Sequence, residues 1–230
     1  MAAIHTVKRA LREHPYSRQL YFALADQWTR TRIAAYQLFA GRYHSAERFD
    51  HLFSGTPDPW GYGKCLLSHE RRRLLLEKLP EATYASMLEI GCAEGWITRL
   101  LAARTQQLTA IDISEVALAR ARDRCRDLGN IIYRRVDILE DAVEGRYDAV
   151  VCAGVLVYLP LAVQPLLRDR ILALLAPGAT LLLEHTVVAY PGEISGRDVH
   201  DLYRRHPDLE LVSHQDIEDY AITVLRKTRA

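Results

Sequence analysis

Residues 86–97 read SMLEIGCAEGWI, and the way this stretch folds decides the rest. Ser86 to Ile90 is a short apolar run that predicts a β-strand ending at Gly91. Trp96 to Ala103 carries apolar residues at Trp96, Ile97, Leu100 and Leu101, a helical spacing. Between strand and helix lies only GCAEG, too short for anything but a tight turn. Gly91 allows a sharp reversal and close approach of a ligand to the backbone, and Gly95 lets the helix sit close on the strand.

Downstream, the same alternation repeats. Strands are predicted over Leu108–Ile113, Ile131–Val136, Tyr147–Ala153 and Thr180–His185. Helices are predicted over Glu115–Leu128, with Ser114 as N-cap, and over Leu161–Leu175, stopping at Pro177-Gly178. The tail, Glu210–Ser213 and Tyr220–Arg226, alternates like two more strands turning around Gln215-Asp216. Strand–helix alternation of this length specifies an α/β fold: a doubly wound, Rossmann-like, mostly parallel seven-stranded sheet. Upstream of about Pro80 the character changes to helix and loop. Leu20, Leu24, Trp28, Ile33, Ala34 and Leu38 follow one helical period, and Leu74, Leu75, Leu76 and Leu79 another, with the loop SGTPDPWGYGK between them. The expected organisation is an N-terminal helical lid segment over residues 1–80 and a ligand-binding domain over 81–230.

Composition narrows the function. Of 230 residues, 49% are apolar and 26% charged, which excludes wholesale disorder. Lys plus Arg number 30 against 29 for Asp plus Glu, so the electrostatic footprint of a nucleic-acid binder is missing. Cys65, Cys92, Cys125 and Cys152 are scattered without a CxxC pair, which argues against a metal cluster or disulfide framework and fits reduced thiols in a cytoplasm. No apolar run approaches the ~20 residues of a membrane span, and the N-terminus has no apolar signal region. The expectation is a soluble, cytoplasmic protein acting on a small molecule, without metal, membrane or nucleic acid.

In a doubly wound sheet, ligands bind beyond the carboxyl ends of the strands. Acidic residues stand there in succession: Glu89 and Glu94 around the first turn, Asp112 at the end of the second strand, Asp137 after the third. Like charges at close range oppose a pyrophosphate and attract a cationic amino group and a sulfonium, both of which S-adenosylmethionine has. Asp112 is placed to accept hydrogen bonds from two ribose hydroxyls, Asp137 one from an adenine amine, and the Ile138 amide to read the ring. Asp58–Gly63 is expected to fold over the cofactor, with the ring of Trp60 or Tyr62 either near the sulfonium, a contact worth about 0.5–2 kcal/mol, or packing the helices onto the sheet. A sulfonium methyl is already activated, so a transferase needs no conspicuous catalytic signature. Candidate bases stand at the end of the Thr180–His185 strand, where alternation sends one of Glu184 and His185 toward the crevice and the other away; His185 has the suitable ordinary pKa and reads equally as a hydrogen-bonded histidine at the sheet rim. Tyr158, His69 and Glu70 are further candidates for the site, and the Val187–Arg197 loop is the natural place for substrate choice.

The runs LEIGCAEGWIT, LTAIDIS, VDILE, YDAVVCAGVLVYLP and APGATLLLEH resemble, in order and spacing, the class I S-adenosylmethionine-dependent methyltransferases. GCAEG with Ala93, DPWGYGK ahead of HERRR, and VLVYLP make the chain most similar within them to the NodS-like methyltransferases. The resemblance implies that Gly91, Cys92, Ala93 and Gly95 form the methionine-side turn. It further implies that Asp112 and Ile113 hold ribose and adenine, Asp137 and Ile138 the adenine, and Ala153 the backbone beside the amino group. It implies methylation of an amine or hydroxyl on a sugar or other natural product. The chain departs from the NodS-like pattern at Gly154, where a glutamate is expected. Two rivals stand: a nicotinamide dehydrogenase, which needs phosphate room at the first turn, and a catalytically silent binder or scaffold of the same fold.

Overall fold

Strand β1 (Tyr84–Ile90) owes its place to Met87, Leu88 and Ile90, all buried, and it lies in the middle of the sheet. In the computed structural model the chain divides into two compact units, Met1–Tyr43 and His44–Ala230. The residues described are 45–56, 58–63, 66–187, 194–217 and 219–228, excepting the side chains of 66–68. The helix expected around Leu20–Leu38, the Pro191-Gly192 part of the substrate loop, and Cys65 lie outside them.

In chain order the described elements are α1 (Ala46–Gly55), α2 (Leu66–Lys78), β1, α3 (Thr98–Ala102), β2 (Thr105–Asp112), α4 (Glu115–Arg124), β3 (Ile131–Arg135), β4 (Tyr147–Ala153), a single 3-10 turn (Leu156–Tyr158), α5 (Gln164–Leu174), β5 (Leu175–Thr186), α6 (Gly196–Arg204), β6 (Leu209–Ile217) and β7 (Tyr220–Lys227). The seven strands form one sheet ordered β3-β2-β1-β4-β5-β7-β6. β1 pairs parallel with β2 and β4, β2 with β3, and β4 with β5, while β7 runs antiparallel between β5 and β6. The expected mostly parallel Rossmann-like sheet is therefore the one observed. Chain order reverses between β1 and β4, and a crevice opens there at the strands' carboxyl ends.

Local chemistry accounts for the boundaries. Ser114 caps α4 as expected, its hydroxyl accepting from the Ala117 amide at 3.1 Å. β5 starts earlier than Thr180, at Leu175, because Pro177 and Gly178 sit in a bulge rather than between elements. Tyr147 pairs with Leu175 but Ala149 already with Thr180, and Gly178 takes φ +78°. The tail strands are longer than the pattern suggested, and the hairpin closes between Ile217 and Tyr220 rather than at Gln215-Asp216. The core lies on both faces of the central strands: on one, Leu75 and Leu79 of α2 and Leu101 of α3 join Met87, Val151, Leu182 and Val224 in one apolar cluster, and on the other Leu88, Val150 and Leu181 are buried. Each such side chain stabilises the fold by roughly 1.5–3 kcal/mol. Among the described residues, no helix is long and apolar enough to cross a membrane.

Candidate functional site

The first turn is held from below. The Gly91 and Cys92 amides both donate to the Ile111 carbonyl, at 2.8 and 3.0 Å. This pulls the chain across the end of β2, with Gly91 at φ +77° and Ala93, unusually for a residue with a side chain, at +46°. A Cβ on Gly91 would come within 2.6 Å of the Val155 side chain, so the turn needs glycine for space as well as for conformation. Gly95 serves packing instead: a Cβ there would lie 2.9 Å from the backbone of Ala121 on α4.

Above this turn lies a cleft enclosing about 980 Å³, open mouth included. Its walls bring together Tyr62, Glu89, Gly91, Cys92, Ala93, Asp112, Ile113, Asp137, Ile138 and Ala153, ten of the positions expected from sequence. Gly95 lies behind the wall rather than in it.

The acids differ in what holds them. Asp112 is pinned in place: its two carboxylate oxygens accept from the Ala93 amide (2.8 Å) and the Ser114 amide (2.9 Å). Burial nevertheless pushes its pKa up to about 6. Glu89 is fully buried and pushed up to about 8, chiefly by desolvation, with a nearby Thr98 hydroxyl offsetting part of the rise. Its Oε2 has no hydrogen-bond partner among the described residues, an uncompensated acceptor that a cationic donor would satisfy. Asp137 accepts from the Leu139 amide at 2.9 Å and is raised by burial.

Glu94 is elsewhere. It was expected to flank the turn with its charge facing the ligand, but it does not line the cleft. Its Oε1 receives Arg120 Nη1 at 2.6 Å and the Asp58 amide at 3.3 Å. Arg120 also donates to the Phe53 and Thr56 carbonyls at the end of α1. Glu94 thus anchors the segment covering the cleft, and its charge is spent on Arg120.

That covering segment is aromatic. The carboxylate of Asp58 accepts from the Tyr62 and Gly63 amides at 2.7 and 2.8 Å, curling the loop so that Trp60 and Tyr62 both reach the cleft. Trp60 Nε1 donates to Tyr158 Oη at 2.8 Å, and Phe53 meets Trp60, and Phe49 meets Tyr158, edge-on. Trp96 lines the same cleft, with the Arg124 guanidinium 3.4 Å from its ring. Phe49, Phe53, Trp96, Val155 and Leu159 were not singled out from sequence. The only signal for Phe49 and Phe53 is that they stand four apart on α1, one helical turn.

The remaining candidates fall outside the cleft. Glu70 pairs with Arg73 on the exposed face of α2, and His69 faces Arg72. Glu184 is buried on Arg71, whose Nε lies 2.9 Å away. His185, expected as a base, has no exposed surface and does not line the cleft. Its Nε2 accepts the Leu156 amide at 3.2 Å and its Nδ1 lies 3.0 Å from His200 Nε2. Burial holds its pKa well below the ordinary histidine range. The lone pair that a base would use is already engaged. Among the described residues, no group of three or more His, Cys, Asp or Glu is arranged to hold a metal ion.

The strand order and a cleft floored by strand-end acids define a Rossmann-like protein with a ligand site at its topological switch point. The chain belongs to the NodS family: the family model described as Nodulation protein S (NodS) matches residues 53–187. Among curated relatives, Nodulation protein S of Azorhizobium caulinodans is 32% identical over 103 residues, covering 44% of this chain and 49% of the relative. A ubiquinone biosynthesis O-methyltransferase of Alkalilimnicola ehrlichii is 30% identical over 124 residues, covering 51% and 49%. The chain thus spans about half the length of these curated relatives. Among solved structures, N-methyltransferase NodS from Bradyrhizobium japonicum WM9, in complex with S-adenosyl-L-homocysteine, matches with a TM-score of 0.70 at 26% identity, covering 79% of this chain and 97% of that one.

Proposed function

We propose that this protein is an S-adenosylmethionine-dependent methyltransferase acting on an amine or hydroxyl of a small molecule. The observation that supports this most directly is the convergence of Glu89, Asp112 and Asp137, from three successive strand ends, on one cleft where Glu89 keeps a buried, unpartnered oxygen. S-adenosylmethionine supplies, when bound, a methyl group activated by its sulfonium. Glu89 and the backbone at Ala153 would hold the amino group, the Gly91–Ala93 turn the methionine chain, Asp112 and Ile113 the ribose, and Asp137 and Ile138 the adenine. Tyr62 and Trp60 would close the cleft against water.

The protein's own chemical task is then modest. It holds an acceptor in line with the methyl group in a dry site, an effect worth about 7–11 kcal/mol by positioning alone. An amine that arrives neutral needs no base, which agrees with His185 being out of reach. Relatives of both N- and O-methylating kinds support keeping amine and hydroxyl acceptors together, with the amine favoured by the NodS likeness. Gly154 leaves open space beside Tyr62: a Cβ there would meet only Tyr62 Oη, at 3.5 Å. We read that space as room for the acceptor, an aminosugar or other natural product, where the NodS-like pattern has a glutamate. We assign residues 81–230 to the transferase domain, the reaction to the cytoplasm and, within the N-terminal segment over residues 1–80, the covering role to Asp58–Gly63.

Calorimetric titration tests the cofactor: micromolar binding of S-adenosylmethionine is expected, and binding of NAD alone would overturn the reading. A product-mass screen against aminosugars, small amines and phenols should then show the gain of one methyl. Cofactor binding with no product from any acceptor class would favour the silent-binder alternative.

A further inference from the structure

The buried histidine that the transfer reaction leaves unused belongs to a chain of four side chains on four elements. His185 (β5) faces His200 (α6) at 3.0 Å, His200 Nδ1 lies 2.7 Å from Thr223 Oγ1 (β7), and the same hydroxyl lies 2.7 Å from His214 Nδ1 (β6). His185, His200 and Thr223 are at most 1% exposed, and His214 reaches the surface. The chain begins at a backbone amide, which can only donate, so every role is fixed as far as the Thr223 hydroxyl. His185 Nε2 accepts from Leu156 and its Nδ1 must carry the proton. His200 Nε2 therefore accepts, and its Nδ1–H donates to Thr223. The Thr223 hydroxyl, with a second lone pair and its own proton, closes on His214 Nδ1 in whichever direction that ring's tautomer sets. Both buried rings must be neutral, in agreement with burial lowering His185 and taking His200 down to about 3. The array does not relay protons to the cleft, because it ends on the Leu156 amide N–H, a hydrogen-bond donor far too weakly acidic to pass its proton on.

What it can do is hold Leu156. That residue sits in the loop after β4 whose neighbours Gly154, Val155, Tyr158 and Leu159 line the cleft. Gln164, fully buried, grips the loop from the other side, its Nε2 donating to the Leu156 and Leu159 carbonyls at 2.7 and 2.9 Å. The packing is built around the contact: a Cβ on Gly196, at the start of α6, would collide with the Thr186 carbonyl at 2.4 Å and with His185 at 2.7 Å.

We propose that His185, His200 and Thr223 are positioning residues: a tautomer-fixed hydrogen-bond chain, paired with Gln164, that sets the 154–159 wall of the cleft from the far side of the sheet. None of them touches the cleft, and the effect of each is transmitted through the Leu156 amide.

Nitrogen-15 imidazole spectra of the unliganded wild-type protein read the first half without any assumption about catalysis. His185 and His200 should both be neutral with Nδ1 protonated, and a protonated Nε2 on His185 would overturn the chain. Thr223→Val, which keeps shape and removes the hydroxyl, should speed Leu156 amide exchange at least tenfold, while Thr223→Ser should restore it to within about twofold. Equal exchange in the two variants would overturn the proposal. Where the transferase reading holds, on which this last arm rests, Thr223→Val raises acceptor KM severalfold with cofactor affinity unchanged. Equal KM in the two variants would sink the wall-setting role. If the tautomers and exchange behave as stated but no acceptor is ever methylated, the functional reading fails and the network stands.

Discussion

The floor of the cleft and its wall are built by different means. The floor is local: Gly91, Ala93, Asp112 and Ile113 lie within 23 positions of one another and are fixed by backbone hydrogen bonds at the ends of adjacent parallel strands. The wall is assembled from afar: Trp60 reaches Tyr158 across 98 positions and His185 reaches Leu156 across 29. A floor held by backbone geometry tolerates few substitutions and should fail abruptly. A wall held by single side-chain bonds should yield by degrees, each loss costing about one hydrogen bond.

The largest expected effect is therefore at the floor. Gly91→Val forces a β-branched residue to φ +77° and drives its side chain into Val155. Backbone strain costs about 1–2 kcal/mol and overpacking about 1–3 kcal/mol, so urea denaturation should show a loss of about 2–5 kcal/mol, with cofactor binding abolished. Near-wild-type stability and binding would mean that the turn is not held as described. Asp112→Ala comes next. It strands the Ala93 and Ser114 amides, each a buried donor worth about 1–3 kcal/mol when unpaired. Both stability and cofactor affinity should fall together in calorimetry, whereas Asp112→Asn should recover part of the stability and little of the affinity.

This contrast also explains what could be read in advance. The strands, the Ser114 cap and the three strand-end acids were legible because each depends on residues within a few positions of itself. Glu94 was misread because charge is visible in a sequence and its partner is not: Arg120 comes from α4, 26 positions away. Strand alternation sends one of Glu184 and His185 toward the crevice and the other away. β5 is covered on both faces, so Glu184 and His185 are both buried and alternation chooses only between two interiors. Beyond the four-residue spacing of Phe49 and Phe53, the aromatic wall left no periodic trace, since its members come from α1, two loops and α3's approach, each with its own register.

Between floor and wall stands Glu89, whose effect shows in pH. A buried carboxyl raised to about 8 is mostly protonated at neutral pH. A cationic ligand favours the ionised form, so affinity for S-adenosylmethionine should strengthen as pH rises from 6 toward 8, by at most tenfold per unit. In the free protein the same shift works the other way. Its contribution to stability is complete below about 4.5, the usual glutamate value, and is lost as pH rises through about 8. Glu89→Gln should flatten both dependences. A binding profile that stays steep in that variant would place the titrating group elsewhere, with Asp112 the next to examine.

The smallest expected effect belongs to the wall. Trp60→Phe keeps an aromatic ring against Phe53 and removes the bond from Nε1 to Tyr158 Oη together with part of the ring contact with Tyr62 and Tyr158. The loss is about 0.5–1.5 kcal/mol, a shift of a few degrees in Tm. Tyr158 then has more freedom on the acceptor side while the acids below are untouched, so acceptor KM should rise up to about tenfold and cofactor affinity should not change. If cofactor affinity fell as much as acceptor affinity, the aromatic cover would be part of the cofactor floor, and the division between a rigid floor and a yielding wall would have to be redrawn at Trp60.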